Sequence, residues 1–247
     1  MKLIILAAGE GTRLRPLTDN IPKCMVPLEG KPLLKCQIET AREVGISDIH
    51  VVCGYRADVI DYPGTTKHLN ESYASTNMVS SLFCAEGEFN DDIIVGYGDI
   101  VYQTDVIQSL MESEAGVSVV VDRLWKDYWV ARMSDPLRDA ETLKLSAEGN
   151  ITELGKKPGS YEDIEGQYIG LTKFGKESLP AIIDFYRSLD GSILYEGRNI
   201  HNMYMTTFLQ LIADELMPIK AVTIENGWME VDEPSDLEFT RFLRREV

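Results

Sequence analysis

This chain is short of the groups from which metal and thiol sites are usually built. Its four cysteines, Cys24, Cys36, Cys53 and Cys84, lack the paired spacing of a zinc site, and 247 residues at 44% hydrophobic composition can bury a core without disulfides. They are expected to be reduced thiols, mostly buried. The three histidines, His50, His68 and His201, are scattered and read as surface or partly buried polar residues rather than metal ligands. Positive charge is scarce too: 24 Lys and Arg face 40 Asp and Glu, a formal net charge of -16. That balance argues against a nucleic-acid or anionic-membrane partner, since both need a basic face. No apolar run approaches the roughly 20 residues of a membrane span, and no signal-peptide pattern precedes the first apolar run, so the expectation is a soluble, cytoplasmic protein without membrane insertion. Two familiar glycine motifs are also missing. No glycine-lysine-serine/threonine run closes a P-loop, and where a dinucleotide fingerprint needs its third glycine the chain has Leu14, with Pro16 soon after.

What is present begins at the third residue. Leu3 to Leu6 form a short apolar run of the kind found in a central parallel strand. Gly9 and Gly11 follow, where the backbone can turn sharply and offer its N–H groups to phosphate oxygens. Arg13 supplies a fork of donors for phosphate, and Lys23, after Pro22, a compact charge for one developing negative centre. Between Gly11 and Lys35 five basic residues (Arg13, Arg15, Lys23, Lys31, Lys35) meet only two acidic ones (Asp19, Glu29), so an anionic ligand would be steered there.

Helical spacing with boundary signals predicts helices over Pro32–Gly45, Asn77–Ala85, Thr104–Glu112, Gly175–Leu189 and Asn202–Glu215, with a last helix opened by Pro234. Strands are expected at Ile49–Cys53, Asp92–Tyr97, Gly116–Val121 and Ala221–Ile224. The alternation gives an α/β, Rossmann-like, doubly wound mixed sheet in one domain over 1–247. Within it, 122–168 reads as a small acceptor-binding insertion or lid, with short strands at Leu143–Leu145 and Ile151–Leu154.

Gly9 through Pro27 match the pattern GxGTRLxPLTxxxPKxxxP without a gap, and weaker similarity continues through YGDI, ITELGKKP, GQYIGL and GWMEVDEPSDLE. On these residues the chain resembles the sugar-1-phosphate nucleotidyltransferase-like superfamily, closest in pattern to bacterial phosphocholine cytidylyltransferases and related phosphonate or phospho-amide cytidylyltransferases. The resemblance implies the nucleotide-diphospho-sugar transferase-like fold. It also implies that Leu6, Ala7, Ala8, Gly9, Gly11 and Thr12 hold the nucleotide.

Nucleotidyl transfer uses a nucleophile that is already anionic. Its need is therefore positioning and charge neutralisation, including a Mg²⁺ ion held by carboxylates. Asp99 follows the buried-looking run IIVGY and Gly98 at the carboxyl end of a strand, where ligands bind in such sheets. Asp232 follows the strand-like GWMEV, with Glu230 two residues earlier on the same face. The resemblance matches Asp99 and Asp232 to the metal-holding acids, with Glu230 as support, and makes Arg13, Lys23, Asp99 and Asp232 the catalytic set. It also matches Lys157 to a lysine that sugar enzymes place on the acceptor phosphate. At Lys156 the chain departs from those enzymes, which commonly carry glutamate there.

Ser75, Thr76 and Asn77 could cap the following helix or read a pyrimidine edge, with backbone carbonyls at Ala7 or Ala8 accepting from a cytosine amino group. Trp125, Tyr128, Trp129, Tyr168 and Trp228, near Asp127, Asp139 and Glu141, could hold an ammonium through cation–π and ionic attraction, although most should simply pack. The acceptor set is Lys156, Lys157, Trp129, Glu141 and Tyr168. The expectation is a Mg²⁺-dependent cytidylyltransferase moving CMP from CTP to a small amine-bearing phosphate or phosphonate, for surface polymer or lipid decoration, with a homodimer allowed. A sugar-1-phosphate nucleotidyltransferase and a non-catalytic nucleotide sensor or scaffold are the alternatives.

Overall fold

The computed structural model describes residues 1–244. The apolar run after Met1 becomes strand β1 (Lys2–Ala7), buried at every position. It is joined by β2 (Asp48–Cys53), β3 (Thr65–Leu69), β4 (Ile93–Tyr97), β5 (Val117–Asp122), β6 (Gln167–Phe174) and β7 (Lys220–Ile224). The seven strands lie in the order β7-β5-β6-β4-β1-β2-β3. β1 runs parallel between β2 and β4, with Leu3 opposite Ile49 and Leu6 opposite Tyr97, while β6 runs antiparallel to both β4 and β5. The sheet is therefore mixed, as expected.

Among the described residues seven helices accompany it: α1 (Leu33–Glu43), α2 (Met78–Phe83), α3 (Thr104–Met111), α4 (Trp125–Arg132), α5 (Leu179–Ser188), α6 (Met205–Glu215) and α7 (Thr240–Arg244). Alternation along β1 divides the core. Leu3, Ile5 and Ala7 pack with Leu34, Ile38 and Ile107 on one face, whereas Ile4 and Leu6 pack with Val79, Leu82 and Phe208 on the other. Both faces are dry, which is why the strand shows no apolar/polar alternation. Among the described residues no helix is long and apolar enough to cross a membrane.

Three features depart from expectation. β6 begins where the insertion was expected to end, because QYIGLTKF is buried on both sides and carries no period-2 signal. Its Gly170 has φ +84°, and a Cβ there would stand 2.7 Å from Cγ of the Tyr97 ring. The helix expected from Pro234 is instead a 3-10 turn, Pro234–Glu238, capped reciprocally by Glu233 and Asp236, before α7 starts at Thr240. Of the cysteines, Cys24 and Cys53 are buried, but Cys36 is only partly so and Cys84 is exposed.

Among the described residues three short ribbons complete the fold, one of them the Pro27–Leu28/Lys31–Pro32 pair after the glycine loop. Leu143–Leu145 pairs with Ile151–Leu154 inside the expected insertion, and Ile100–Tyr102 pairs with Trp228–Glu230, joining the end of the chain to the carboxyl edge of β4.

Candidate active site

The site forms at the carboxyl ends of β1 and β4. Gly98 N–H donates to the Leu6 carbonyl at 2.9 Å, and a Cβ on Gly98 would lie 2.8 Å from that oxygen, so only glycine lets the two strand ends touch here. The next residue, Asp99, accepts at its carbonyl from Val231 N–H at 3.0 Å. That bond and the Ile100–Tyr102/Trp228–Glu230 ribbon bring Asp232 beside Asp99.

Lys23 joins the two acids. It starts a 3-10 turn after Pro22, and its Nζ donates to both Asp99 Oδ2 and Asp232 Oδ1. Gly11, at φ +69°, makes room for it: a Cβ there would come within 2.9 Å of Lys23 Cβ. The loop is pinned by buried Leu14 and by Thr18 Oγ1, which donates to the Gly11 carbonyl at 2.7 Å. Burial opposes the Lys23 charge, yet the two carboxylates outweigh it and hold the ammonium above its ordinary pKa. For Asp232 burial pushes upward, but the neighbouring Lys23 charge prevails and the carboxyl sits below the usual range. Arg13 Nη2 lies 3.0 Å from Asp232 Oδ1 with its side chain 59% exposed, so the guanidinium stands at the mouth.

Glu230 faces a different partner. Its carboxylate pairs with Arg132 Nη1, while Arg132 Nε and Nη2 reach Asp236 at 3.0 and 3.2 Å. Asp236 Oδ2 in turn accepts from the Asp232 and Glu233 N–H groups at 2.7 and 2.8 Å. The Arg132 side chain, 3% exposed, thus clamps the turn that presents Asp232.

Two cavities meet at this cluster. One, of about 210 Å³, is lined by Leu6, Ala7, Ala8, Gly9, Lys23, Cys24, Tyr73, Thr76, Asn77, Met78, Ser81, Tyr97, Gly98 and Asp99. The other, of about 190 Å³, is lined by Met78, Tyr97, Trp129, Asp139, Glu141, Gln167, Tyr168, Tyr204, Met205, Thr206, Glu230 and Asp232. Met78 and Tyr97 belong to both, and the Asp99 and Asp232 that Lys23 bridges face one cavity each. The second cavity is acidic. Burial first, then Glu196, Asp139 and Glu230, push the Glu141 carboxyl up to about 7. Gln167 grips the Glu141 backbone from both sides, accepting from its N–H at 3.1 Å and donating to its carbonyl at 2.6 Å, and Trp129 Nε1 donates to Asp139 at 3.1 Å.

The structure therefore gathers Arg13, Lys23, Asp99 and Asp232 as one cluster, lines the first cavity with Leu6, Ala7, Ala8, Gly9, Thr76 and Asn77, and lines the second with Trp129, Glu141 and Tyr168. It places others elsewhere. Gly11, Thr12 and Ser75 do not line the first cavity; Gly11 packs on Lys23, and Ser75 Oγ donates to Ser72 O at 3.2 Å. Asn77 Oδ1 caps α2, accepting from Met78 N–H at 2.8 Å. The Ala8 carbonyl already accepts from Tyr55 N–H at 3.1 Å. Lys156 turns to Glu153 at 3.1 Å, and Lys157 donates to the Leu137 carbonyl at 2.5 Å, so neither lines the second cavity. Trp125, Tyr128 and Trp228 pack the core, with Tyr128 edge-on to Trp228 at 5.5 Å.

Unforeseen members are Tyr73, Tyr97, Gln167, Tyr204 and Arg132. Arg132 left one signal: with Trp125, Tyr128 and Trp129 it falls at i, i+3, i+4, i+7, the spacing of one buried helix face.

Residues 3–151 match the model of the MobA-like NTP transferase domain. The chain is 45% identical to the CTP:phosphoglutamine cytidylyltransferase of Campylobacter jejuni subsp. jejuni serotype O:2, over 96% of this chain and 98% of that protein. It is 39% identical to the choline-phosphate cytidylyltransferase of Streptococcus pneumoniae, over 79% of this chain and 92% of that one. The solved CTP:phosphocholine cytidylyltransferase from Streptococcus pneumoniae superposes with a TM-score of 0.74 at 23% identity, covering 98% of each chain, which establishes the shared fold.

Proposed function

The chain belongs to the family of MobA-like NTP transferase domains, and from that premise we propose that it is a cytidylyltransferase moving CMP from CTP to a small phosphorylated acceptor that carries an ammonium group. The observation that carries this reading is the junction: a largely neutral cavity beside the glycine loop meets an acidic cavity at Asp99, Lys23 and Asp232.

In the reaction a non-bridging oxygen of the acceptor phosphate attacks the α-phosphorus of CTP. The new P–O bond forms as the bond to the β-phosphate oxygen breaks, and pyrophosphate leaves with the electron pair. The nucleotide occupies the first cavity, its triphosphate against Gly9, where even a Cβ would meet no atom within 4 Å and the backbone can be approached closely. Arg13, exposed at the mouth, neutralises the departing pyrophosphate. Lys23, already charged and held between two acids, needs only a small reorientation to meet the α-phosphate.

The same acids suit a divalent ion. Asp99 Oδ1 is buried without a hydrogen-bond partner among the described residues, and a pair of carboxylate oxygens is the donor set Mg²⁺ prefers. Asp99 and Asp232 would hold it, and it would supply further stabilisation of negative charge on the reacting phosphates. Glu230, taken by Arg132, serves the Asp232 turn rather than that ion.

The acceptor's ammonium lies among Asp139, Glu141 and Glu230, with the Trp129 and Tyr168 rings beside it. Segment 122–168 contributes Trp129, Asp139, Glu141, Gln167 and Tyr168, and acts as the acceptor-binding insertion. With Lys156 and Lys157 turned away, the lysine expected on a sugar phosphate is not at hand. The CMP-activated product suits transfer onto a surface polymer or lipid.

The test is pyrophosphate release with Mg²⁺, each nucleoside triphosphate being paired with phosphoglutamine, phosphocholine, phosphoethanolamine, aminoethylphosphonate and hexose-1-phosphates. Turnover with CTP and an ammonium-bearing acceptor is expected. Turnover confined to a sugar phosphate would overturn the reading.

A further inference from the structure

A second cluster of metal-ligating side chains lies on one face of the sheet, across β1, β2 and edge strand β3. Parallel register sets Lys2 opposite Asp48, Ile4 opposite His50 and Val52 opposite His68, so Lys2, Asp48, His50 and His68 share one face. The 3-10 turn Glu86–Glu88 brings Glu88 onto it.

His50 is 3% exposed. Its Nδ1 lies 3.0 Å from His68 Nε2. Its Nε2 approaches Asp48 Oδ1 at 2.9 Å and Glu88 Oε2 at 3.6 Å, yet the angles serve no hydrogen bond, and this buried nitrogen has no such partner among the described residues. One donor atom each from His50, His68 and Glu88 lies within 4.8 Å of the other two.

We propose that His50, His68 and Glu88 form a binding site for a borderline divalent transition ion of the zinc class. Two imidazoles and one carboxylate are a donor set that such ions take and that Mg²⁺ does not favour, and three protein ligands leave a fourth position for water. Zinc bonds of about 2.0–2.2 Å require the donors to draw together, and Glu88, on a 3-10 turn with a partly exposed side chain, is the ligand not held in a strand.

The ion has a built-in competitor. Lys2 Nζ sits 2.7 Å from Glu88 Oε2 and 3.8 Å from Asp48 Oδ2, so a metal must displace this ammonium, which can retreat to Asp48. Once bound, the metal ties edge strand β3 to its neighbour β2 and to the Glu86–Glu88 turn.

The cluster makes opposing demands on its residues, and these define the test. Full-length protein stripped with chelator is titrated calorimetrically with zinc chloride in excess Mg²⁺, which occupies the catalytic acids. Wild type should take up one Mg²⁺-resistant zinc and gain thermal stability. His68→Gln and Glu88→Gln, both at partly exposed positions, should each weaken binding at least about tenfold, the loss that removing even an outer partner brings. Lys2→Gln should tighten it. The proposal is overturned if wild type shows no Mg²⁺-resistant equivalent, or if His68→Gln and Glu88→Gln bind zinc as wild type does.

Discussion

The two cavities that meet at Lys23 are of similar size, about 210 and 190 Å³, and differ in how they are made. The first is built from backbone and neutral side chains of four short segments, with charge only where Lys23 and Asp99 close it. The second carries Asp139, Glu141, Glu230 and Asp232 among aromatic rings, drawn from distant parts of the chain. A polyanionic nucleotide suits the first and would be repelled by the second, whereas a cation suits the second. Under the proposed function, reaction and acceptor choice are separately encoded: one wall would perform phosphoryl chemistry and the other would sort acceptors by charge.

The seam itself should be the most sensitive point. Arg132→Ala strands Glu230 and Asp236 as buried, unpaired carboxylates, and breaking such a pair costs about 3–5 kcal/mol. Thermal or denaturant unfolding should register that loss, and activity with every acceptor should fall along with it.

On the nucleotide side, Lys23→Ala or Asp99→Asn should lower kcat by about a hundredfold or more with all acceptors alike, as loss of a preorganised charge does. An acceptor-dependent loss would blur the division between the two walls.

The acceptor side should show the opposite pattern. Glu141→Gln should raise KM for an ammonium acceptor about tenfold, near 1.4 kcal/mol, and leave KM for CTP unchanged. Its pH dependence has a definite sign. With the carboxyl pushed up to about 7, Glu141 is neutral below that pH and ionised above it, so acceptor KM should fall as pH rises from 6 to 8. The acceptor phosphate titrates nearby, and Glu141→Gln is the comparator in which the Glu141 share of the profile disappears.

The smallest effect belongs to Asn77→Ala, which removes the cap of α2 from Met78 N–H and should cost about 1 kcal/mol in unfolding experiments, with a modest rise in KM for CTP.

The same division explains what the sequence made legible. The proposed nucleotide wall starts from a loop on a strand whose glycines and Lys23 carry recognisable chemistry, whereas Tyr73 and Tyr97 join it from elsewhere in the chain. Asp99 and Asp232 could be singled out because both end apolar runs at strand termini. The proposed acceptor wall is assembled by tertiary structure: β6 has no alternation to announce it, and Gln167 reaches the second cavity from the start of that strand, where it pairs antiparallel with Asp122 of β5. Lys157 matched a motif from which Lys156 departs, but the Leu137 carbonyl draws Lys157 away and Glu153 holds Lys156. The histidines looked scattered because register, not spacing, brings His50 and His68 to one face.

The most direct measurement compares the acceptor that turns over fastest with its deaminated analogue, hydrogen replacing the ammonium, in wild type and in Glu141→Gln. Selection by charge predicts that wild type prefers the ammonium acceptor in kcat/KM at least about tenfold and that Glu141→Gln largely erases the preference. Equal kcat/KM for both acceptors in wild type would contradict the account.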